Sequence, residues 1–559
     1  RPMPSSFRRL ALAAAALIGC GGGSESAPEE FLLHNAKVFT ADFEAPWAEA
    51  LLIRGDRIAA VGTTADVRAA ASAGARMIDL GGKTVVPGFN DAHDHVTPSL
   101  PAVQVSTGPD PLPDPPFRVV ADSLRAAVAR TAPGTRLRVA VGERVLSDPA
   151  ARRPALDLIA PAHPVEVQAW SGHGLILNSA ALSAAGLADS TPDPLGGRFE
   201  RDRSGRLTGL LEEYAAYSVW SRMAVQTDSA VRAAFAARAD EAIRLGITSI
   251  QNMSTGLDPA VLGRVLDSLG APIRVRIIRL PTTSATGRVT EPWQALRSAE
   301  GSWATVSGTK YVLDGTPVER LAAMRRPYSD RPGAVGRLNF PADTLRAILQ
   351  DALTTGDQPM IHAVGDSAVG IVLGLMTELG PDSAWRRIRP RIEHGDGLSP
   401  DQYALAQRLG AIVVQNPSHL TLGPLAAARY GPARMAILQP LKSVLSNGMM
   451  LALGSDGPIN PFLNIMFAVM HPDNPAEALT VEQAVRAYTL GSAFAEHQEL
   501  RKGRLAIGML ADLAVLSQDI FTIPAPQLPA TTSVLTVIGG RPVLDPGGLF
   551  AAAQPIGDR

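Results

Sequence analysis

Between residues 84 and 456 the chain alternates two kinds of pattern. Short apolar runs occur at Thr84–Val86, Ile247–Asn252, Ile273–Leu280, Thr309–Asp314, Pro359–Val364, Arg389–His394, Ala411–Gln415 and Met450–Asp456. Apolar runs of this length, bounded by turn residues, read as buried strands. Most are separated by amphipathic stretches such as "PADTLRAILQDALTTG" and "SPDQYALAQRLG". The second opens with Ser399-Pro400, an N-cap followed by a proline in the first turn, and stops at Gly410. Eight such strands alternating with helices predict an α/β fold, a (β/α)8 TIM-like barrel. A doubly wound sheet is the competing arrangement.

The two chain ends have a different rhythm. "FLLHNAKVFT" and "ALLIRGDRIAAVG" near the start read as strands, as do "ADLAVLSQDIF" and "TTSVLTVIGGRPVL" near the end. Gly55-Asp56 and Gly539-Gly540 are tight-turn signals within them. Together they predict one small β-sandwich assembled from residues 30–83 and 500–559, leaving the barrel to residues 84–499. Roughly 150 residues separate the first barrel strand from the second, the size of a domain. This segment has an α/β pattern of its own, including "PVEVQAW", and is expected to form a cap inserted at about residues 97–240.

Composition narrows the function classes. Of 559 residues 46% are apolar, enough for a substantial core, and the net charge is −1 with no basic stripe, which argues against nucleic acid. Aromatic residues are only 5%, an argument against a pocket that stacks large aromatic ligands. The single cysteine lies in "MPSSFRRLALAAAALIGCGGGSESAPEE". Arg8 and Arg9 precede the apolar run Leu10–Ile18, which is too short to span a bilayer. Leu17-Ile18-Gly19-Cys20 resembles a bacterial lipobox, followed by a Gly/Ser-rich tether. Residues 1–20 are therefore expected to be a lipoprotein signal peptide and 21–29 a tether, with Cys20 lipidated. An ordinary signal peptide is the alternative. The resulting expectation is an exported bacterial lipoprotein, anchored through Cys20 on the periplasmic or cell-surface side. A homodimer is the default assembly.

In a (β/α)8 barrel the chemistry sits where the strands end. The first predicted strand leads into "GFNDAHDH", with His93 and His95; the fourth carries Lys310, the fifth His362, the sixth His394, and the eighth ends at Asp456. A lone histidine beside a strand is usually a packed core residue. Four of the ten histidines at strand ends, with a lysine inside an apolar strand, are hard to explain as packing. Side chains at i and i+2 of an extended segment share a face, so His93 and His95 can reach one ion. Imidazole and carboxylate donors suit Zn(II) first and other first-row divalent ions next. Asp91 and Asp94 read as supporting or capping groups.

At this point the chain resembles the amidohydrolase superfamily, specifically the YtcJ-like amidohydrolase family 3. The resemblance is carried by "VVPGFNDAHDH", "SGHGLILNSAALSAAGL", "GTKYVLDG", "IHAVGDSAV", "RPRIEHGD", "VVQNPSH", "LALGSDGP" and "GRLAIGMLADLAVL". It implies His93 and His95 as ligands of the more buried of one or two divalent ions. It implies a CO2-derived carbamate on Lys310 as the bridge, His362 and His394 as ligands of the second ion, and Asp456 as ligand and catalytic proton carrier. The implied reaction is hydrolysis of an amide-type C–N bond, in an N-acyl or N-formyl small molecule, by a metal-activated water. A deaminase, an ester or lactone hydrolase, and a non-catalytic metal-binding lipoprotein are the alternatives.

Other positions are less specific. His173, in a motif with Ser171 and Asn178, and His419 are candidate substrate contacts; Asn178 is as readily a helix cap. Glu213 matches an acidic family position of unassigned role. Three stretches depart from the family wording: "VGERVLSD" stands where Gly-Trp-Asp is common, "DGTPVERLA" follows Lys310, and "QNPSH" carries an additional Asn416.

Overall fold

The computed structural model describes residues 29–225, 227–268, 273–288 and 303–556. Cys20, the leader and the tether up to residue 28 lie outside the described residues.

Eight parallel strands form the central barrel: Phe89–Asp94, Ile247–Thr255, Arg274–Leu280, Ala304–Val312, Pro359–Ala363, Arg391–His394, Ile412–Gln415 and Met450–Leu453, each paired with the next. Between the last strand and the first, closure is made by the backbone just past the strand end. The Asp456 N–H donates to the His93 carbonyl at 2.8 Å. Gly454 lies so close that a Cβ there would meet the His93 nitrogen at 2.5 Å. Helices cover the outside. That over Pro400–Leu409 has the capping box expected of Ser399, completed by Gln402, and ends at Gly410 in the left-handed conformation, φ 69°.

The first barrel strand is not the one expected. Thr84–Pro87 pairs in parallel with Lys37–Phe39 and antiparallel with Leu513–Leu516, so Val85 and Val86 belong to the sandwich. Pro87-Gly88 then passes the chain to Phe89–Asp94. That strand escaped notice because Asn90, Asp91, His93 and Asp94 make it look like a polar loop, although all six of its residues are buried.

The sandwich has two sheets. One holds Gln554–Pro555, Arg76–Asp79, Glu30–His34, Ala50–Arg54 and Arg57–Gly62; the other Arg541–Leu544, Ser533–Ile538, Leu513–Leu516, Thr84–Pro87, Lys37–Phe39 and Trp47–Ala48. "FLLHNAKVFT" is thus two strands, one in each sheet. Leu33, Leu51 and Ile53 from the first sheet pack against Val38, Val85, Leu513 and Val537 from the second.

Between the first and second barrel strands stands a cap built on a six-stranded mixed sheet, from Val103–Gln104 to Leu207–Glu213. It ends earlier than its pattern indicated. Helix Asp228–Arg244 packs on the barrel strand Ile247–Thr255 and on the sandwich, because Val231, Phe235 and Ile243 face the barrel core.

Candidate metal centre

The strand ends bring the expected residues to one place. Asp456 lies three residues beyond its strand, with φ +40°, at the centre of a ring of imidazoles. Its Oδ1 is 3.7 Å from His93 Nε2 and 3.4 Å from His95 Nε2; its Oδ2 is 3.8 Å from both His394 Nε2 and His419 Nε2. Two three-residue groups therefore share one carboxylate, His93–His95–Asp456 and His394–His419–Asp456. Lys310 Nζ is 2.9 Å from His93 Nε2. The His362 ring lies 4.5 Å from that of His394.

Each imidazole is turned by what holds its other nitrogen. His93 Nδ1 meets Glu393 at 2.7 Å, His95 Nδ1 the Met253 carbonyl at 3.1 Å, and His394 Nδ1 Asn416 Oδ1 at 2.9 Å. These acceptors place the proton on Nδ1 and leave the Nε2 lone pair facing inward, the usual preparation of a ligating histidine. Burial above all pulls His362 and His394 well below the ordinary histidine pKa; at His394 it outweighs the opposing Asp456 carboxylate, so both are neutral lone-pair donors. Burial would raise Asp456, but the crowding imidazoles outweigh it and keep the carboxylate ionised.

Sequence reasoning missed most of this support. Arg391 donates to both oxygens of Glu393, at 2.6 and 3.0 Å. Burial works against the Glu393 charge; Arg391 and His93 overcome it and hold the carboxyl well below its usual range. The signal was present: Arg391 and Glu393 alternate on a strand whose other residues are apolar or ligating. Asp91 accepts from Tyr488 at 2.7 Å, from the Ser455 N–H at 2.9 Å and from the Ser455 hydroxyl, and Asp94 pairs with Arg238 at 2.9 Å, as supporting groups would.

Cap and barrel mouth together line a cavity of about 920 Å3 above the centre, open to solvent. His173 enters it from the cap, its ring 5.1 Å from that of His362. Its Nδ1 bonds Glu213 at 2.9 Å, which gives Glu213 its role. Burial pulls the His173 pKa down, but Glu213, with help from Glu319 and Asp456, lifts it to about 9. Ser171 donates to Glu319. Asn178 is a helix cap, accepting from the Ala181 N–H at 2.9 Å. His419 lies in the 3-10 turn Pro417–Leu422 that follows strand seven, within reach of Asp456. The low aromatic content misled: Trp170, Tyr217, Trp220 and Tyr430 all line this one cavity.

A family model described as "Amidohydrolase family" matches residues 76–544, from the last strands of the sandwich's first half to those of its second. The chain belongs to the amidohydrolase family. Among relatives of this amidohydrolase, YtcJ of Bacillus subtilis (strain 168) is 29% identical over 409 residues, 70% of this chain and 76% of that one. The N-substituted formamide deformylase of Arthrobacter pascens is 28% identical over 529 residues, 88% and 94% of the two chains. A solved structure of an uncharacterized metal-dependent hydrolase from Pyrococcus horikoshii shares the fold, with TM-score 0.66 and 21% identity, over 89% of this chain and 100% of that one. The amidohydrolase is thus a hydrolase of small molecules, of a superfamily that uses divalent metal.

Proposed function

We propose that the protein hydrolyses the amide-type C–N bond of a small N-formyl or N-acyl compound, with Zn(II) as the ion its donors favour. The observation that carries this reading is Asp456, one oxygen toward His93 and His95 and the other toward His394 and His419, at the floor of the cavity. The similarity to a formamide deformylase along nearly the whole of both chains supports the choice of bond.

The residues fit a metal. His362 Nε2 is buried without a hydrogen-bond partner, and the other inward imidazole nitrogens are held as acceptors. His93, His95 and Asp456 would hold one ion, His362 and His394 a second. A bound divalent ion supplies Lewis-acid polarisation of a carbonyl and lowers the pKa of water toward neutrality.

The chain's own groups do the rest. Burial, more than any neighbour, pulls Lys310 down to about 8. At pH 7 about a tenth of it is then the neutral amine, against roughly one part in three thousand at its ordinary value. That amine adds its lone pair to the carbon of CO2 and releases one proton to solvent, leaving an anionic carbamate where a buried cation stood. Asp456 takes a proton from the attacking water and hands it to the departing nitrogen. His173, protonated at neutral pH, donates toward the substrate oxygen.

The test is metal analysis together with a panel of N-formyl and N-acyl amines. Turnover should release the free amine and fall by about 10^3-fold in Asp456→Asn, the scale of lost acid–base catalysis. Stoichiometric metal without turnover on any panel member would favour a binding protein. Release of ammonia from an amino-substituted ring instead would favour a deaminase.

A further inference from the structure

The cavity contains a second polar district that hydrolysis leaves unused. Asp396 follows barrel strand six, two residues past His394, while Tyr430 and Gln439 come from the connection between strands seven and eight; all three line the cavity. Tyr430 is 4% exposed and Gln439 2%. Even so, the Tyr430 hydroxyl, Gln439 Oε1 and Asp396 Oδ1 have no hydrogen-bond partner. Buried polar atoms are nearly always paired, so three orphans on one cavity wall point to a ligand that pairs them.

The district is built rather than accidental. The Gln439 N–H donates to the Asp396 carbonyl at 3.0 Å, which ties the two residues together. His471 Nε2 in turn holds the Gln439 carbonyl at 3.0 Å. Toward the rim stands Asp473, which also lines the cavity and whose Oδ2 has no partner.

The missing partner is a donor, and a cation. The orphans are a carboxylate oxygen, an amide oxygen and a phenol oxygen, all able to accept. The two arginines lining the cavity are committed elsewhere: Arg238 to Asp94 at 2.9 Å and Arg138 to Glu166 at 2.8 Å. Lys310 sits against His93 at the metal centre. No lysine or arginine among the described residues bonds Asp396, and His419, the neighbour whose charge would act on it, has its Nε2 3.8 Å from Asp456 Oδ2. A planar guanidinium pairs best with both oxygens of one carboxylate, and of Asp396 only Oδ1 is among the orphaned atoms. An ammonium, with three N–H groups spread tetrahedrally, matches three separate acceptors.

We propose that Asp396, Gln439 and Tyr430 form a subsite for a primary ammonium group carried by the substrate, several bonds from the amide that is cut. This rests on the amide-hydrolase reading of the centre. The substrate class becomes mono-N-acylated or mono-N-formylated diamines and ω-amino compounds.

The experiment pairs two measurements on the metal-loaded protein. Hydrolysis is compared within pairs of N-formyl-α,ω-diaminoalkanes and N-formylalkylamines of three to six carbons. Binding of 1,5-diaminopentane and of pentylamine is measured by calorimetry, without turnover. At the best chain length the ammonium member should be favoured by about tenfold in kcat/KM, the scale of one charge-assisted pair. Asp396→Asn should bring that ratio to about one. Tyr430→Phe removes only the hydroxyl and should lower the ratio about threefold. Equal kcat/KM within every pair would overturn the subsite and leave the amide reading standing. Diamine binding that Asp396→Asn abolishes, with no amide cleaved, would keep the subsite and sink the amide reading. Failure of the diamine to bind more tightly than pentylamine overturns the subsite in either case.

Discussion

His173 and Glu213 show how a single pair can serve both folding and the site. Glu213 is fully buried, with φ 53° and ψ −126°, a backbone state that a non-glycine residue keeps only under constraint. Its carboxylate faces His173 Nδ1, and the Tyr217 hydroxyl donates to it at 3.4 Å. The groups facing His173 are Glu213, Tyr217, Glu319, Asp456 and the His362 ring. Its pKa, about 9, is above that of an unfolded histidine, so the folded state holds the proton more tightly. The resulting stabilisation is fully present below about pH 6.5 and is lost as pH rises through about 9. Wild type should lose on the order of 3 kcal/mol of unfolding free energy between pH 6 and pH 10 through this pair. His173→Gln should start lower and lack that part of the decline. Melting curves collected across this range check it; parallel declines in the two proteins would refute it. Three other non-glycine residues around the cavity, His394, Gln439 and Asp456, also have positive φ. Backbone of that kind leaves no trace in hydrophobic periodicity, which is why the sequence placed the ligands and not their orientation.

Between elements, two of the three departures from the family wording meet each other. Glu143 of "VGERVLSD" stands on a short cap helix, and Arg320 of "DGTPVERLA" follows barrel strand four. Arg320 bonds Glu143 at 2.9 Å and Asp330 at 2.7 Å, and Arg429 bonds Asp330 and lies 3.6 Å from Glu143. Four charges thus tie the cap to two barrel loops over the cavity. The third departure, Asn416, is the acceptor that orients His394. None of this was legible, because pairing across some 180 positions leaves no local signal. The barrel strands were legible where apolar residues dominate them, as in Pro359–Ala363, Ile412–Gln415 and Met450–Leu453, whereas Phe89–Asp94 hides its burial behind polar side chains. Arg320→Ala leaves Glu143 and Asp330 facing each other with one cation fewer. It should cost about 2–3 kcal/mol of stability, below the cost of a fully buried pair because Asp330 is partly exposed. The cap should loosen, raising KM by roughly tenfold with a smaller change in kcat, since a substrate-positioning surface is lost while the proton carrier stays. Michaelis kinetics and limited proteolysis of the cap read both effects. An unchanged KM with an intact cap would show that the latch does not hold it.

At the scale of the whole molecule, the sandwich is not an appendage. Its strand Thr84–Pro87 runs through Gly88 into the first barrel strand, and the Gly88 N–H donates to the Asp512 carbonyl at 3.0 Å. Asp512 also receives Arg274 of barrel strand three at 2.7 and 3.0 Å, and the Gly539 N–H at 2.7 Å. Thr536 donates to the Ile243 carbonyl at 2.8 Å, and Gly246 sits where a Cβ would press on Ala514 at 2.6 Å. Both chain ends therefore close on the strand that carries His93, and the geometry of the centre depends on strands more than 400 residues away. Apolar rhythm predicted the sandwich from both ends; it could not show that Asp512 joins it to the barrel, because its partner Arg274 lies 238 positions away and leaves no local signal. Asp512→Ala orphans a largely buried Arg274 and should cost about 3–5 kcal/mol, the range for breaking a buried ion pair from one side. If sandwich and barrel are one cooperative unit, the loss will be shared. Hydrogen exchange should show Leu513–Leu516 and Phe89–Asp94 losing protection together in this variant, with metal affinity falling as His93 loosens. Loss of protection confined to the sandwich strands, with the barrel and its metal unaffected, would mean that the two fold independently and that the sandwich merely adjoins the site.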